Sequence, residues 1–321
     1  MAKLDIFKTV AKGAARKSTL AMLAQVHCEH GRIWATDCDV FISAPAPEEC
    51  ANNTSYDLKG RALAVYGGDE TAIGSITSQA FDGPYMHDID LPAILASVSH
   101  AISKEETRYY LNGAYFDTEG GRLKVVATDG HRMAVLETGE PVQSELQSVI
   151  IPRQAIAVLA GIKGELWRVT WNERFAQFVG QNSGIELVTK LIDGCYPDYG
   201  RVIPQSSRLV GSYTGQAVNA LAALKDCKQN AEGREPKVII SGAELHVRNN
   251  TLANYQGALP ADIHAAEQLP QEIGFNTKYL CDAMAAIGKD SYRLQVSDAA
   301  SPVRVESGDG KLIQVVMPLR V

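Results

Sequence analysis

Four clusters of side chains in the 321-residue sequence have types and spacing suited to chemistry. His27-Cys28-Glu29-His30 gathers possible metal ligands within four residues. Strand alternation would send His27 and Cys28 to opposite faces, and no second ligand pair lies close by, so a zinc site is not spelled out. Asp129 and His131, with Cys195 or a serine as nucleophile, invite a hydrolase reading, but no G-x-S-x-G elbow is present. Arg108-Tyr109-Tyr110 combines a cation with two aromatic rings, which suits sequence-blind stacking on bases and equally suits half-buried strand packing. The terminal run Val315-Val-Met-Pro-Leu-Arg offers an apolar wall with a charged edge, and from pattern alone it reads just as well as a core strand.

These clusters sit in a chain with a core of its own. Hydrophobic residues make up 45% and charged residues 21%, a composition that disordered or fibrous chains do not share. The net charge of −6 argues against a protein that coats nucleic acid by bulk positive charge and leaves room for a local basic face. No apolar run approaches the ~18–20 residues that span a bilayer, and the N-terminus has no signal-like core, so a cytoplasmic location is expected. The six cysteines form no C-x-x-C pair, which predicts free thiols in a reducing compartment.

The elements that must position the clusters repeat. Trp34-Ala-Thr-Asp, Val126-Ala-Thr-Asp and Gln295-Val-Ser-Asp each lead a strand into a turn at Asp37, Asp129 and Asp298 and back into an alternating strand. Helical spacing appears at Leu4, Phe7, Val10 and Ala11, and again at Leu91–Ile102, where Ile94, Leu95, Val98 and Ile102 share a face and Pro92 suits the first turn. Gln216–Lys225 puts Val218, Leu221 and Leu224 on one face. Pro152–Gly161 and Asn276–Gly288 read as helices ended by glycine, with Asn276 as N-cap. A hairpin is expected about His30-Gly31, and a short helix from Leu58 to Tyr66.

Turn formers near Asp82 and after Arg201 divide the chain into an abbreviated unit, 1–82, and two fuller ones, 83–206 and 207–321. Each is an α+β unit of antiparallel strands and two helices, except that the second half of the first is expected to lack strands.

Five motifs then carry a resemblance: Arg108-Tyr-Tyr-Leu-Asn-Gly, Ala127-Thr-Asp-Gly-His-Arg-Met-Ala, Leu191-Ile-Asp-Gly-Cys-Tyr-Pro-Asp-Tyr, Ile273-Gly-Phe-Asn and Val315-Val-Met-Pro-Leu-Arg. In this order and spacing the chain resembles the bacterial sliding clamps, the beta subunits of DNA polymerase III. The resemblance covers about 83–321 and is thinner over 1–82. It implies three similar clamp domains per subunit, the first abbreviated here, and a head-to-tail homodimeric ring around double-stranded DNA. Such a clamp has no catalytic step and no cofactor. It tethers polymerase and clamp-loader subunits, which raises their effective concentration at the DNA.

The resemblance also implies sites. A groove for short apolar peptides would be formed by Arg108, Thr128, Gly130, His131, Arg132 and Met133, with Pro197, Val202, Asn276 and Tyr279, and with Val315, Val316, Met317, Pro318, Leu319 and Arg320. Ala300 and Pro302 stand on its rim where larger or polar side chains are usual. DNA contacts would fall to Lys17, Arg108, Tyr109 and Tyr110, and the helix-borne Lys8, Lys12, Arg16, Lys225 and Lys228 are candidates to line the hole. Two other readings stay open: a clamp-derived accessory module that keeps the groove without closing a ring, and a hydrolase or metal-binding protein on a similar scaffold.

Overall fold

The structure, a computed structural model, describes residues 5–15, 18–65, 81, 83–205, 208–230, 237–242, 244–248 and 254–321. It divides into two compact units. The first comprises residues 1–99, 106–125 and 139–195, the second 100–105, 126–138 and 196–321.

The first unit is built on a nine-stranded antiparallel sheet. Its spatial order is Ala62–Val65, Thr54–Tyr56, Val26–Glu29, Arg32–Thr36, Val40–Pro45, Glu186–Lys190, Phe175–Gly180, Trp167–Trp171 and Met86–Ile89. Pairing Val40–Pro45 with Glu186–Lys190 joins strands about 150 residues apart, with Phe41 opposite Val188. Helices α1 (Ile6–Val10), α2 (Leu91–Val98) and α3 (Arg153–Leu159) belong here. Asp90 caps α2 by accepting from Ala93 N, Pro92 lies in its first turn, and Leu91, Ile94, Leu95 and Val98 are buried, so the apolar spacing and the cap agree.

In the second unit, Arg132–Leu136 pairs with Leu312–Val316, followed in order by Val303–Ser307, Ser291–Val296, Gly211–Gln216 and Asp262–His264. A separate four-stranded sheet runs Asn254–Ala258, Glu244–Arg248, Lys237–Ser241 and Ile273–Asn276. Two helices, α4 (Ala217–Asn230) and α5 (Thr277–Ile287), complete its core. Asn276 caps α5 by accepting from Lys278 N, and Gly288 ends it with φ +74°, a conformation a side chain would strain.

The Asp turn is one structure used repeatedly. Oδ1 of Asp37 accepts from the backbone N of Asp39 and Val40, Oδ1 of Asp129 from His131 and Arg132, and Oδ1 of Asp298 from Ala300 and Ser301. In the first two copies the preceding threonine matches as well: Thr36 and Thr128 Oγ1 donate to the carbonyls of Val40 and Arg132 at 2.8 and 2.7 Å. A side-chain acceptor that satisfies two turn amides is why this short sequence recurs.

Three expectations are corrected. Leu58–Tyr66 is no helix in its described part, because Asp57 accepts from the backbone N of Lys59 and Arg61 to make a turn, and Ala62–Val65 then pairs with Thr54–Tyr56. For the same reason the second half of 1–82 does not lack strands. On α4 Leu224 is buried and Leu221 packs against the core as expected, but Val218 is 52% exposed, and Ala217, Ala220 and Cys227 complete the buried face. Leu4, Arg16, Lys17, Tyr66 and Asp82 lie outside the described residues.

Candidate partner groove and nucleic-acid contacts

The turn at Asp129 places five of the predicted groove residues, Thr128, Gly130, His131, Arg132 and Met133. Gly130 takes φ +88°, which lets the chain reverse with its N–H on Thr128 Oγ1. His131 is exposed, and its carbonyl accepts Met317 N at 3.0 Å, which ties the C-terminal segment to the turn. Further along, Leu319 N donates to Gly274 O at 2.7 Å. A Cβ on Gly274 would meet Leu319 O at 2.7 Å, so a residue without a side chain is required at this crossing.

Arg132 is held from three sides. Its Nε meets Asp129 at 3.0 Å, its Nη1 meets Asp282 at 2.6 Å, and the guanidinium lies 4.4 Å from the centre of the Tyr279 ring. Asp282 also accepts from Lys278. Burial opposes charge on Asp282, but the hydrogen bonds from Lys278 and Arg132 outweigh it and hold the carboxyl below its usual pKa. Behind this group, His100 is driven down to about 4, first by burial and then by the positive charge of Arg132. The planar guanidinium suits this double role of fork and stacking plate better than an ammonium would.

Met133, Val315 and Val316 are each less than 5% exposed and form strand core. The accessible apolar surface comes instead from Met317, Leu319 and Val202, at 36%, 41% and 48%. Val202 also walls a cleft of about 870 Å³ together with Arg201, Arg208 and, from the turn at Asp298, Ser301 and Pro302. The expected rim residue Pro302 is thus at the edge of a real cavity. Pro197 is exposed just before the short 3-10 turn Tyr199–Arg201, and Pro318 and Arg320 flank Leu319. Asn276 spends its side-chain oxygen on the α5 cap.

Of the remaining candidates, Arg108, Tyr109 and Tyr110 belong to the first unit, where a 3-10 turn over Tyr109–Leu111 sets the two rings edge to face at 5.8 Å. Tyr109 is 54% exposed, while Tyr110 is half-buried. The Tyr109 ring therefore presents more open surface for stacking. Lys8 pairs with Asp5, and Lys12 and Lys225 are exposed. His27 stacks on Trp34 at 4.3 Å and contacts Met22 O at 2.9 Å, and burial pushes its pKa down; Cys28 lies 3.9 Å from Asn52 Oδ1. Among the described residues no group of three His, Cys, Asp or Glu side chains could hold a metal ion.

Sequence reading did not single out Asp282, Lys278 or His100. The first two were findable as an i,i+4 pair on the Tyr279 face of one helix. His100 carried no such signal.

Residues 88–198 match the DNA polymerase III beta subunit, central domain, and 222–320 match its C-terminal domain. The beta sliding clamp of Caulobacter vibrioides is 33% identical over 245 residues, 72% of this chain and 64% of that protein. The chain spans 64–66% of the length of the first curated relatives it matches. In fold, the DNA polymerase sliding clamp of Bacillus subtilis superposes with TM-score 0.82 at 18% identity, covering 98% of this chain and 96% of that one. The Bartonella birtlesii sliding clamp, solved bound to griselimycin, gives 0.78 at 25% identity, with 98% and 96% covered. With both domain matches in order along about two thirds of the sequence, the chain belongs to the bacterial sliding clamp family, that of the DNA polymerase III beta subunit.

Proposed function

We propose that this chain is a DNA sliding clamp, a non-catalytic processivity factor that closes head to tail with a second copy around duplex DNA and tethers a polymerase and clamp-loader subunits. The observation that carries the reading is the 33% identity to a named beta sliding clamp over 72% of the chain. In this reading residues 1–82, 83–206 and 207–321 are the three clamp domains. The peptide groove is centred on Met317, Leu319 and Val202, with His131 and Tyr279 beside them. Lys17, Arg108, Tyr109 and Tyr110 touch DNA without reading its bases. The protein works in the cytoplasm on the chromosome.

The exposed apolar side chains support the groove: Met317 adapts to different partners, and the rigid Pro318 and Val202 limit the entropy lost on binding. Loading onto plasmid DNA tests the whole reading. A topological clamp stays on circular DNA and runs off once the circle is cut. Equal, strongly salt-dependent retention on both forms would mean simple electrostatic binding and end the ring proposal.

A second reading, the accessory module that keeps the groove without a ring, is favoured by one observation. The α-helix described within 1–82 is only five residues long, against fourteen for α4. A strict monomer that still binds peptide would select it.

A further inference from the structure

The third Asp turn differs from the other two in what its hydroxyl does. In the first two copies the threonine before the aspartate donates to a carbonyl of its own turn. Ser297 takes that place before Asp298, and its hydroxyl makes no hydrogen bond among the described residues. Asp298 itself is fully engaged: Oδ1 accepts Ala300 N and Ser301 N, each at 2.7 Å, and Oδ2 accepts Ser301 Oγ at 2.7 Å.

The cleft of about 870 Å³ beside Val202 lies against this turn, and its size falls within the ~300–1,000 Å³ usual for ligand sites. Two segments that leave a common joint form its walls: Val210 N donates to Val296 O at 2.8 Å, and from there one segment runs back to Arg208 and the other on to Asp298. Arg208 N in turn donates to Gln205 O at 2.9 Å, which fixes the backbone that carries the guanidinium. The apolar part of the wall is accessible surface and not core, since Val202 is 48% exposed and Pro302 is half-buried. Two guanidiniums and one carboxylate line the cleft. Arg201 is answered by Asp198 at 2.7 Å, whereas Arg208 is exposed and carries no ion pair among the described residues. The groups left unspent are therefore donors, the Arg208 guanidinium and the Ser297 hydroxyl. A carboxylate, which only accepts, is the ligand group that a planar fork of N–H donors and one O–H donor match.

We propose that this cleft extends the peptide groove at its Val202 wall and takes an acidic side chain flanking the partner peptide's apolar anchor, with Arg208 as the residue that sets the preference. This rests on the groove reading above, whose Val202 the cleft shares. The chain's net charge of −6 by itself disfavours an acidic peptide, so a preference for one reports on local donors and not on the field of the whole protein.

Three acetylated peptide amides test it by calorimetry on the full chain: Gln-Leu-Ser-Leu-Phe, the same peptide with Glu added before Gln, and the same peptide with Glu added after Phe. One of the two acidic peptides should bind about threefold more tightly than the neutral one, as a single exposed charge pair gives. That ratio should fall to about one in Arg208→Ser and stay near twofold in Arg208→Lys, while Met317→Ala should weaken all three peptides alike. Urea midpoints check that the variants are folded. Equal affinities of the three peptides for the unaltered chain would overturn the inference and leave the groove reading intact. An acidic preference that survives Arg208→Ser would overturn it as well. If none of the three binds, the groove reading falls and its extension with it.

Discussion

The Arg132 guanidinium and the Asp282 carboxylate meet at 2.6 Å although 150 residues separate them in the chain. The contact fastens the Asp129 turn to α5, and so fixes the bed on which Met317 and Tyr279 are presented. Both side chains are mostly buried, at 10% and 24% exposure, so the pair is shielded from the screening that weakens surface ion pairs.

Asp282→Ala should therefore lower the stability to unfolding by about 2 kcal/mol, the cost of leaving a shielded guanidinium with one partner fewer. Urea titration measures this, and a loss under ~0.5 kcal/mol would assign the pair no structural weight. Arg132→Lys should itself lower the stability, since an ammonium cannot both fork to two carboxylates and stack on Tyr279.

Acid should loosen the second unit in two stages. The folded pKa of His100, about 4, lies below its ordinary 6.5. The unfolded chain then binds the extra proton first, and stability present above about pH 6.5 falls progressively toward pH 4, by up to about 3 kcal/mol. Asp282 acts lower: its depressed pKa means that its contribution holds above the ordinary value of 3.8 and is lost as the pH falls through the folded value. Urea midpoints at about pH 5 and about pH 7.5 test the first stage, which His100→Gln should flatten. An unchanged pH slope in that variant would rule His100 out as the source.

Met317→Ala should weaken a Gln-Leu-x-Leu-Phe peptide about tenfold, or ~1.4 kcal/mol, because it removes an exposed, adaptable apolar side chain while leaving the strand core of Val315 and Val316 in place. Calorimetry reads the affinity directly. Equal affinity in the mutant would remove Met317 from the groove.

Gly274→Ala should act on the same groove from a distance. Its new Cβ would sit 2.7 Å from Leu319 O and so push the C-terminal segment off its bridge. Peptide affinity should drop several-fold. Amide exchange at Leu319, whose N–H the bridge protects, should quicken in parallel. Normal exchange together with weak binding would point to another cause.

Light scattering at micromolar concentration should give twice the 34.7 kDa chain mass if the ring closes. A mass that stays monomeric would leave the groove predictions standing and dismiss the ring.

Much of the second unit was legible because its signals are local. Asn276 and Gly288 bracket α5 by cap chemistry, and Asp37, Asp129 and Asp298 mark their turns because one carboxylate can satisfy two amides within its own four residues. Leu58–Tyr66 misled for the complementary reason. Its apolar residues suit a helix or a strand, and pairing of Ala62–Val65 with Thr54–Tyr56 decided in favour of the strand there. The α4 spacing misled only at Val218, where the neighbouring small residues Ala217 and Ala220 face the core instead.

The candidate site divides along the same line. Sequence by itself determined the repeated turn, the caps, the order of motifs and the family they spell, since each depends on residues a few positions apart. Only the tertiary structure decided that Val315 and Val316 are core while Met317 and Leu319 face outward, and that Arg132 is locked by Asp282. Those outcomes depend on which distant segments share a sheet or a helix face, and chain spacing carries no record of a contact between residues 150 positions apart.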